Sequence, residues 1–135
     1  MSQKLLIFLK ETDSKLLIKY DGERVSNKYT IKIIYNDFNL GSLGKDSDEP
    51  YKVIQDIFEN QDLFPVDDAL SLYSEISDII VRAINSRYGI KSIISIMLKV
   101  QYDHISYNYH VQTEAFTKRG SALSLNELNL SIINN

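Results

Sequence analysis

The chain contains no cysteine. This absence excludes disulfides, thiolate nucleophiles, iron–sulfur clusters and cysteine-ligated zinc sites. It also favours a reducing compartment, because small secreted domains often depend on disulfides for their stability. Proline and glycine are scarce as well, with two and five copies among 135 residues, so the composition is not that of a disordered or linker-rich chain.

Long hydrophobic runs are also missing. The N-terminal apolar stretch, residues 5–9, is shorter than the about 7–15 residues of a signal peptide, and no small-residue cleavage site follows it. The stretch 90–100 is interrupted by lysine and serine, and it is far shorter than the ~20 residues that span a bilayer. We therefore expect a cytoplasmic protein.

Length and composition indicate one globular domain spanning residues 1–135. The hydrophobic fraction of 44% and the charged fraction of 24% are ordinary values for such domains. A domain of this length buries roughly two-thirds of the surface that its unfolded chain exposes, so it needs no metal or disulfide to fold.

The first 38 residues predict an antiparallel meander of three strands. Residues 5–9 are all apolar and predict a short strand buried on both faces, whereas apolar side chains alternate within residues 16–20 and 29–35. Asp21-Gly22 is a strong turn signal between the second and third strands. Residues 41–49 combine two glycines with a run of charged side chains, and they predict a loop.

Two helices are predicted after this loop. Pro50 suits the first turn of a helix, and the apolar residues of 53–58 recur at helical spacing. A longer helix begins at Pro65, because apolar residues recur at three- and four-residue steps through 69–84. Gly89 favours the end of this second helix.

Residues 94–113 predict a β-hairpin. Apolar side chains occupy the even positions of 94–102 and the odd positions of 105–111, and a two-residue turn at Asp103-His104 requires this change of parity. The predicted register places Leu98 opposite Tyr109. Three tyrosines are placed on the core side of the hairpin: Tyr102, Tyr107 and Tyr109.

The C-terminal part is predicted in less detail. Residues 118–121 break the alternating pattern, and Ser124 and Glu127 have the spacing of a capping box. The apolar residues that follow fit a helix or a strand, and we favour a short helix. The whole chain thus predicts an α+β fold, with an antiparallel sheet of about five strands and a helical pair packed on one face.

Catalytic and metal-binding patterns are absent from the sequence. The chain has two histidines, and the hairpin places His104 in the turn and His110 on the outer face, about 20 Å apart, too far to share a metal. Asp103, His104 and Ser106 crowd at the hairpin tip and lack the fixed geometry of a hydrolase triad. Residues 41–45 depart from the spacing of a phosphate-binding loop. We therefore expect no enzyme, cofactor, metal or small-molecule substrate.

Charge is distributed unevenly along the chain. Residues 46–78 contain ten acidic side chains and one basic side chain, a net charge of −9, whereas the remainder carries +6. A solvated helix surface can have this composition. A concentrated field of one sign also steers partners of opposite charge, and it disfavours nucleic acid. Eight acids define the predicted partner-binding region: Asp46, Asp48, Glu49, Asp56, Glu59, Asp62, Asp67 and Asp68. Tyr51 and Tyr73 are candidate anchors beside it, provided that they are exposed.

A small cysteine-free chain with an acidic patch and no active site resembles, in general character, the bacterial immunity proteins of contact-dependent growth inhibition and related polymorphic toxin systems. The resemblance implies an antitoxin role, in which the protein forms a tight complex with a cationic toxin domain, foremost a nuclease. The acidic face would then cover the toxin's cleft or a neighbouring surface. The resemblance assigns no individual residue.

Two alternatives stay open. The first is a nucleic-acid-binding module that uses the basic N-terminal sheet. Seven basic residues lie there, but four acids interrupt them and no aromatic stacking motif accompanies them. The basic residues are Lys4, Lys10, Lys15, Lys19, Arg24, Lys28 and Lys32. The second alternative is an enzyme whose pocket is assembled from residues scattered along the sequence.

Overall fold

The computed structural model describes residues 3–61 and 63–134. These residues form six strands, four helices and two short helical turns. The elements follow in chain order as α1 (Gln3–Glu11), β1 (Ser14–Asp21), β2 (Tyr29–Tyr35), β3 (Ser42–Ser47), α2 (Pro50–Asp56), a 3₁₀ turn (Phe58–Asn60), α3 (Val66–Ala83), a π-helical turn (Ile84–Tyr88), β4 (Ile93–Gln101), β5 (His104–Gln112), β6 (Thr117–Ala122) and α4 (Leu125–Asn134).

The strands form one antiparallel sheet in the order β3-β2-β1-β4-β5-β6. Strands β1 and β4 pair at the centre, and each is the first strand of a meander that runs outward to one edge. The α+β class and the antiparallel sheet are confirmed, with six strands where about five were predicted.

The helices cover one face of the sheet because the strands alternate in burial. In β1, Leu16, Ile18 and Tyr20 are buried, whereas the residues between them are only partly covered. Helix α3 lays its apolar stripe on the buried face, where Ile76 and Ile80 are fully enclosed. Burying one such side chain contributes about 1.5–3 kcal/mol. Residues from all four helices join the buried strand residues in one hydrophobic core.

The first predicted strand is wrong, because residues 5–9 lie in helix α1. Five consecutive apolar residues fit either a strand buried on both faces or a buried helix, so their periodicity does not decide between the two. Tertiary packing decides here. Leu5, Phe8 and Leu9 recur at helical spacing and are buried, and the Phe8 ring contacts Phe64 edge to face at 5.0 Å.

Two strands were not predicted, and both lie at the edges of the sheet. Strand β3 falls within the predicted loop 41–49, and β6 falls where residues 118–121 break the apolar pattern. Edge strands pair on one side only and tolerate polar residues and glycine. Gly120 is required for packing, since a Cβ atom there would lie 2.3 Å from the Tyr109 hydroxyl oxygen.

The central hairpin forms, but its predicted register is wrong by two residues. The turn is Tyr102-Asp103, and Leu98 lies opposite Tyr107 rather than Tyr109. A shift of two residues keeps every side chain on its face, so the buried positions of Leu98, Tyr107 and Tyr109 agree with the prediction. Tyr102 was predicted to face the core, but it adopts a φ of 58° in the turn and is 84% exposed.

The C-terminal segment is a helix, α4, as favoured. The Ser124 hydroxyl accepts a hydrogen bond from the Glu127 N–H at 3.1 Å, and the Glu127 carboxylate accepts one from the Leu123 N–H at 2.9 Å. This reciprocal arrangement satisfies donors that a helix start leaves unpaired. Lys118 of β6 ties the helix to the sheet by donating to the Ser131 carbonyl at 2.7 Å.

We expect Leu98→Ala to lower the free energy of unfolding by about 2–5 kcal/mol, because it leaves a cavity in the fully buried centre of β4. Urea denaturation measures this change. The matched control is Met97→Ala, which truncates the next residue on the half-buried opposite face and should cost clearly less. Equal losses for the two variants would contradict the assigned core face.

Candidate functional site

The solvent side of helix α3 carries acidic and small polar residues. Its apolar stripe faces the sheet, so helical spacing places Asp67, Ser71, Ser74, Glu75 and Asp78 on the opposite side, where all are exposed. This side of the helix presents three carboxylates along its length.

Helix α2 and the 3₁₀ turn extend this acidic surface. Helix α2 packs against α3. Asp56 ends α2 and Glu59 lies in the turn, and both are exposed. We name the set Asp56, Glu59, Asp67, Glu75 and Asp78 the acidic helical face. None of the five forms an ion pair within the part of the chain that the structure describes.

Asp46 and Asp48, two of the predicted acids, have intramolecular partners instead. Asp46 in β3 accepts a hydrogen bond from the Thr30 hydroxyl and pairs with Arg24 at 3.3 Å. The hydrogen bond from Thr30, aided by Arg24, holds the pKa of Asp46 below its usual value. Asp48 accepts the Lys28 N–H at 3.1 Å, and backbone hydrogen bonds lower its pKa too. These acids connect β3 to the β1–β2 loop.

The other predicted acids differ in their surroundings. Glu49 precedes α2 and pairs with Lys52 at 3.2 Å, with both side chains largely exposed. Asp68 is half-buried, and its Oδ2 atom is buried without a hydrogen-bond partner among the described residues. Asp62 lies outside the described residues. Glu75 and Asp78 were counted in the charge but not chosen as site residues, although helical spacing from Asp67 could have indicated them.

A groove with a volume of about 470 Å³ opens beside the first turn of α2. Its lining includes Tyr29, Tyr51 and Tyr73, together with Asp48 and Glu49. The Tyr51 ring is 48% exposed and packs edge to face on Tyr73 at 5.0 Å. Tyr73 is buried, and this burial raises the pKa of its hydroxyl. Of the two candidate anchors, only Tyr51 is therefore accessible to a partner.

The sheet face opposite the helices carries more cationic than acidic side chains, since its two strand acids, Asp21 and Asp46, both pair with Arg24. Five cationic side chains lie on it and form no ion pair with any residue in 3–61 or 63–134. They are Lys15, Lys19, Lys32, Lys99 and Arg119. Leu17 and Met97 pair near its centre. We name this surface the open sheet face. The five cations come from four strands, and the sequence analysis identified the lysines of β1 and β2 but not Lys99 of β4 or Arg119 of β6.

The histidines do not assemble a reactive site with their neighbours. His104 begins β5 rather than occupying the turn, and His110 is half-buried on the open sheet face. Asp103 pairs with Lys10 at 2.9 Å. In residues 3–61 and 63–134, no cluster of three or more histidines and carboxylates could hold a metal ion.

Comparison with known proteins provides no relative, since no family model, curated protein or solved structure matches the chain. Within the described residues, every helix is too short or too polar to cross a bilayer.

We expect Asp46→Asn to remove a pH-dependent share of stability. Because the folded-state pKa of Asp46 lies below its ordinary value of 3.8, the carboxylate stabilises the fold above that pH and loses its contribution as the pH falls through the folded-state pKa. For this partly exposed pair we expect a loss of up to about 1 kcal/mol at neutral pH. The difference between variant and wild type should disappear in strong acid.

Urea unfolding at neutral pH and near pH 2 measures this difference. Glu23→Gln is the control, because Glu23 is exposed and its side chain has no ion-pair partner among the described residues. A deficit for Asp46→Asn that is as large in strong acid as at neutral pH would contradict the electrostatic explanation.

Proposed function

We propose that this protein is an immunity-type inhibitor that acts in the bacterial cytoplasm. It binds a basic toxin domain, with a nuclease domain as the leading candidate, and forms a tight complex through the acidic helical face. The observation that carries the proposal is the set of five exposed carboxylates on the helical side, none of which forms an ion pair with a described residue. Their charge is available to a partner.

The unpaired state of these carboxylates matters for the energetics. Like charges on one surface repel each other, and a cationic partner relieves that repulsion while gaining favourable contacts. Such a surface speeds association by about 10–1,000-fold at low ionic strength. Asp46 and Glu49 contribute less to this field, because Arg24 and Lys52 already offset their charges.

A nuclease partner fits this chemistry. Enzymes that bind a nucleic-acid backbone present lysine and arginine to its phosphates. A face of carboxylates competes for the same cations, so a complex through this face blocks the substrate without any catalysis by the inhibitor. The proposal therefore requires no cofactor and no active site in this chain.

A second candidate function is nucleic-acid binding through the open sheet face. The five unpaired cations of that face support it. The described strand residues of the face include no phenylalanine or tyrosine, so the stacking platform typical of single-strand recognition is absent there. Binding of this kind would rest on phosphate contacts alone and weaken steeply with salt.

We expect the double variant Glu75→Lys/Asp78→Lys to bind the toxin at least about tenfold more slowly at low salt, with little change in folding. The matched control is Glu23→Lys/Glu114→Lys, which changes the net charge equally at exposed sites outside the acidic helical face. Salt at 0.1 M largely screens interactions between exposed charges that are more than about 10 Å apart. The difference in association rate between the two variants should therefore shrink as salt rises.

The measurement is co-expression with the product of the adjacent gene, followed by association kinetics at low and high salt. Equal association rates and equal cell protection for the acidic-face variant and the control would overturn the proposal. If instead the wild type retains RNA and Lys19→Glu/Lys99→Glu abolishes that retention, the second candidate function takes its place.

A further inference from the structure

The groove beside α2 combines two kinds of wall that recognise the same chemical group. Aromatic side chains attract a cation to their faces, and carboxylates pair with it directly. The groove is lined by Tyr29, Tyr51 and the buried Tyr73, and by Asp48, Glu49 and Lys52, and Tyr51 is the exposed ring among them. Its volume of about 470 Å³ exceeds what one long side chain requires.

Tyr51 is held in place before any ligand arrives. Its ring lies edge to face against Tyr73 at an interplanar angle of 86°, and Tyr73 is 3% exposed within the core. An anchor that is already ordered loses little conformational freedom on binding. About half of the Tyr51 surface is nevertheless exposed to an incoming group.

The carboxylates of the groove select a cation over an anion. Asp48 and Glu49 line it together with one base, Lys52, so the lining carries a net negative charge that disfavours an anionic ligand. Glu49 pairs with Lys52, but their side chains are 63% and 64% exposed, so this pair is weak and exchangeable. A cation from outside can replace the ammonium group of Lys52.

We infer that this groove binds an arginine side chain of the basic partner, with the guanidinium stacked on Tyr51 and paired with Glu49. Arginine suits both contacts, because its planar guanidinium stacks on aromatic rings and pairs with a carboxylate through two parallel hydrogen bonds. The inference rests on the proposed function, and it names the anchor that charge attraction alone does not supply.

A short peptide tests the groove without the partner. Hexa-arginine with blocked termini is titrated into ¹⁵N-labelled protein at low salt, and amide shifts are followed by NMR. We expect shifts at Tyr51, Gln55 and Ser77, and about three- to tenfold weaker binding for Tyr51→Ala. Tyr51→Phe should retain the affinity because it keeps the aromatic face. Glu49→Gln should weaken binding without truncating any packed side chain, and hexa-lysine should bind less tightly than hexa-arginine.

Tyr102→Ala is the matched control, since Tyr102 is 84% exposed in the β4–β5 turn. Wild-type affinity in both Tyr51→Ala and Glu49→Gln, with shifts confined to α3, would overturn the groove as an arginine site and leave the acidic helical face intact. Failure of the proposed function is a separate result, namely an unchanged association rate for Glu75→Lys/Asp78→Lys with the toxin.

Discussion

The antiparallel pairing of β1 with β4 is the contact on which the rest of the structure depends. It joins two segments that are about 80 residues apart in the sequence, with Leu16 opposite Leu98 and Ile18 opposite Ile96. Each central strand then starts its own meander, so the two halves of the chain build outward from this one pair. Helix α3 covers the centre with its apolar stripe, and the other helices pack around it. Loss of this pairing would divide the sheet into two three-stranded halves.

This arrangement explains why the two sides of the molecule differ in charge. All of the helical cover lies on one face of the sheet, so the solvent sides of α2 and α3 form one outer surface and the uncovered strands form the other. Six of the ten acids of 46–78 lie in α2, the 3₁₀ turn or α3, and six of the eleven lysines lie in strands. A charge imbalance along the sequence therefore becomes an imbalance between two sides of the fold.

The parts of the fold that the sequence predicts correctly have a buried face and a regular period. Strands β1 and β2, helices α2 and α3, and the faces of the β4–β5 hairpin satisfy both conditions. Helix α1 does not, because five adjacent apolar residues fit two periods. Strands β3 and β6 form through backbone pairing with an inner neighbour, which leaves no apolar pattern to detect. The hairpin register depends on the positive φ of Tyr102. Alternation of apolar side chains cannot reveal a register shift of two residues, because such a shift keeps each side chain on the same face.

The candidate site was predictable as a region but not as a set of residues. All carboxylates contribute equally to the charge of the sequence, whereas in the fold some of them are paired with a neighbouring cation. Asp46 accepts a hydrogen bond from Thr30 and pairs with Arg24, so its carboxylate stabilises the edge of the sheet and is less available to a partner. Of the carboxylates that stay unpaired on the helical side, Asp56, Glu59 and Asp67 belong to the predicted region, and helical periodicity along α3 could have added Glu75 and Asp78.

The exposed charges and the aromatic groove affect different steps of binding in the proposed complex. Exposed carboxylates act at a distance and govern how fast a basic partner arrives, an effect that salt removes. A half-buried aromatic ring acts only on contact, and it governs how long the partner stays. The unpaired acids of α3 meet the first requirement, and the groove at Tyr51 meets the second at the neighbouring helix. Because α2 and α3 pack together and share one hydrophobic core, a single partner surface can engage both.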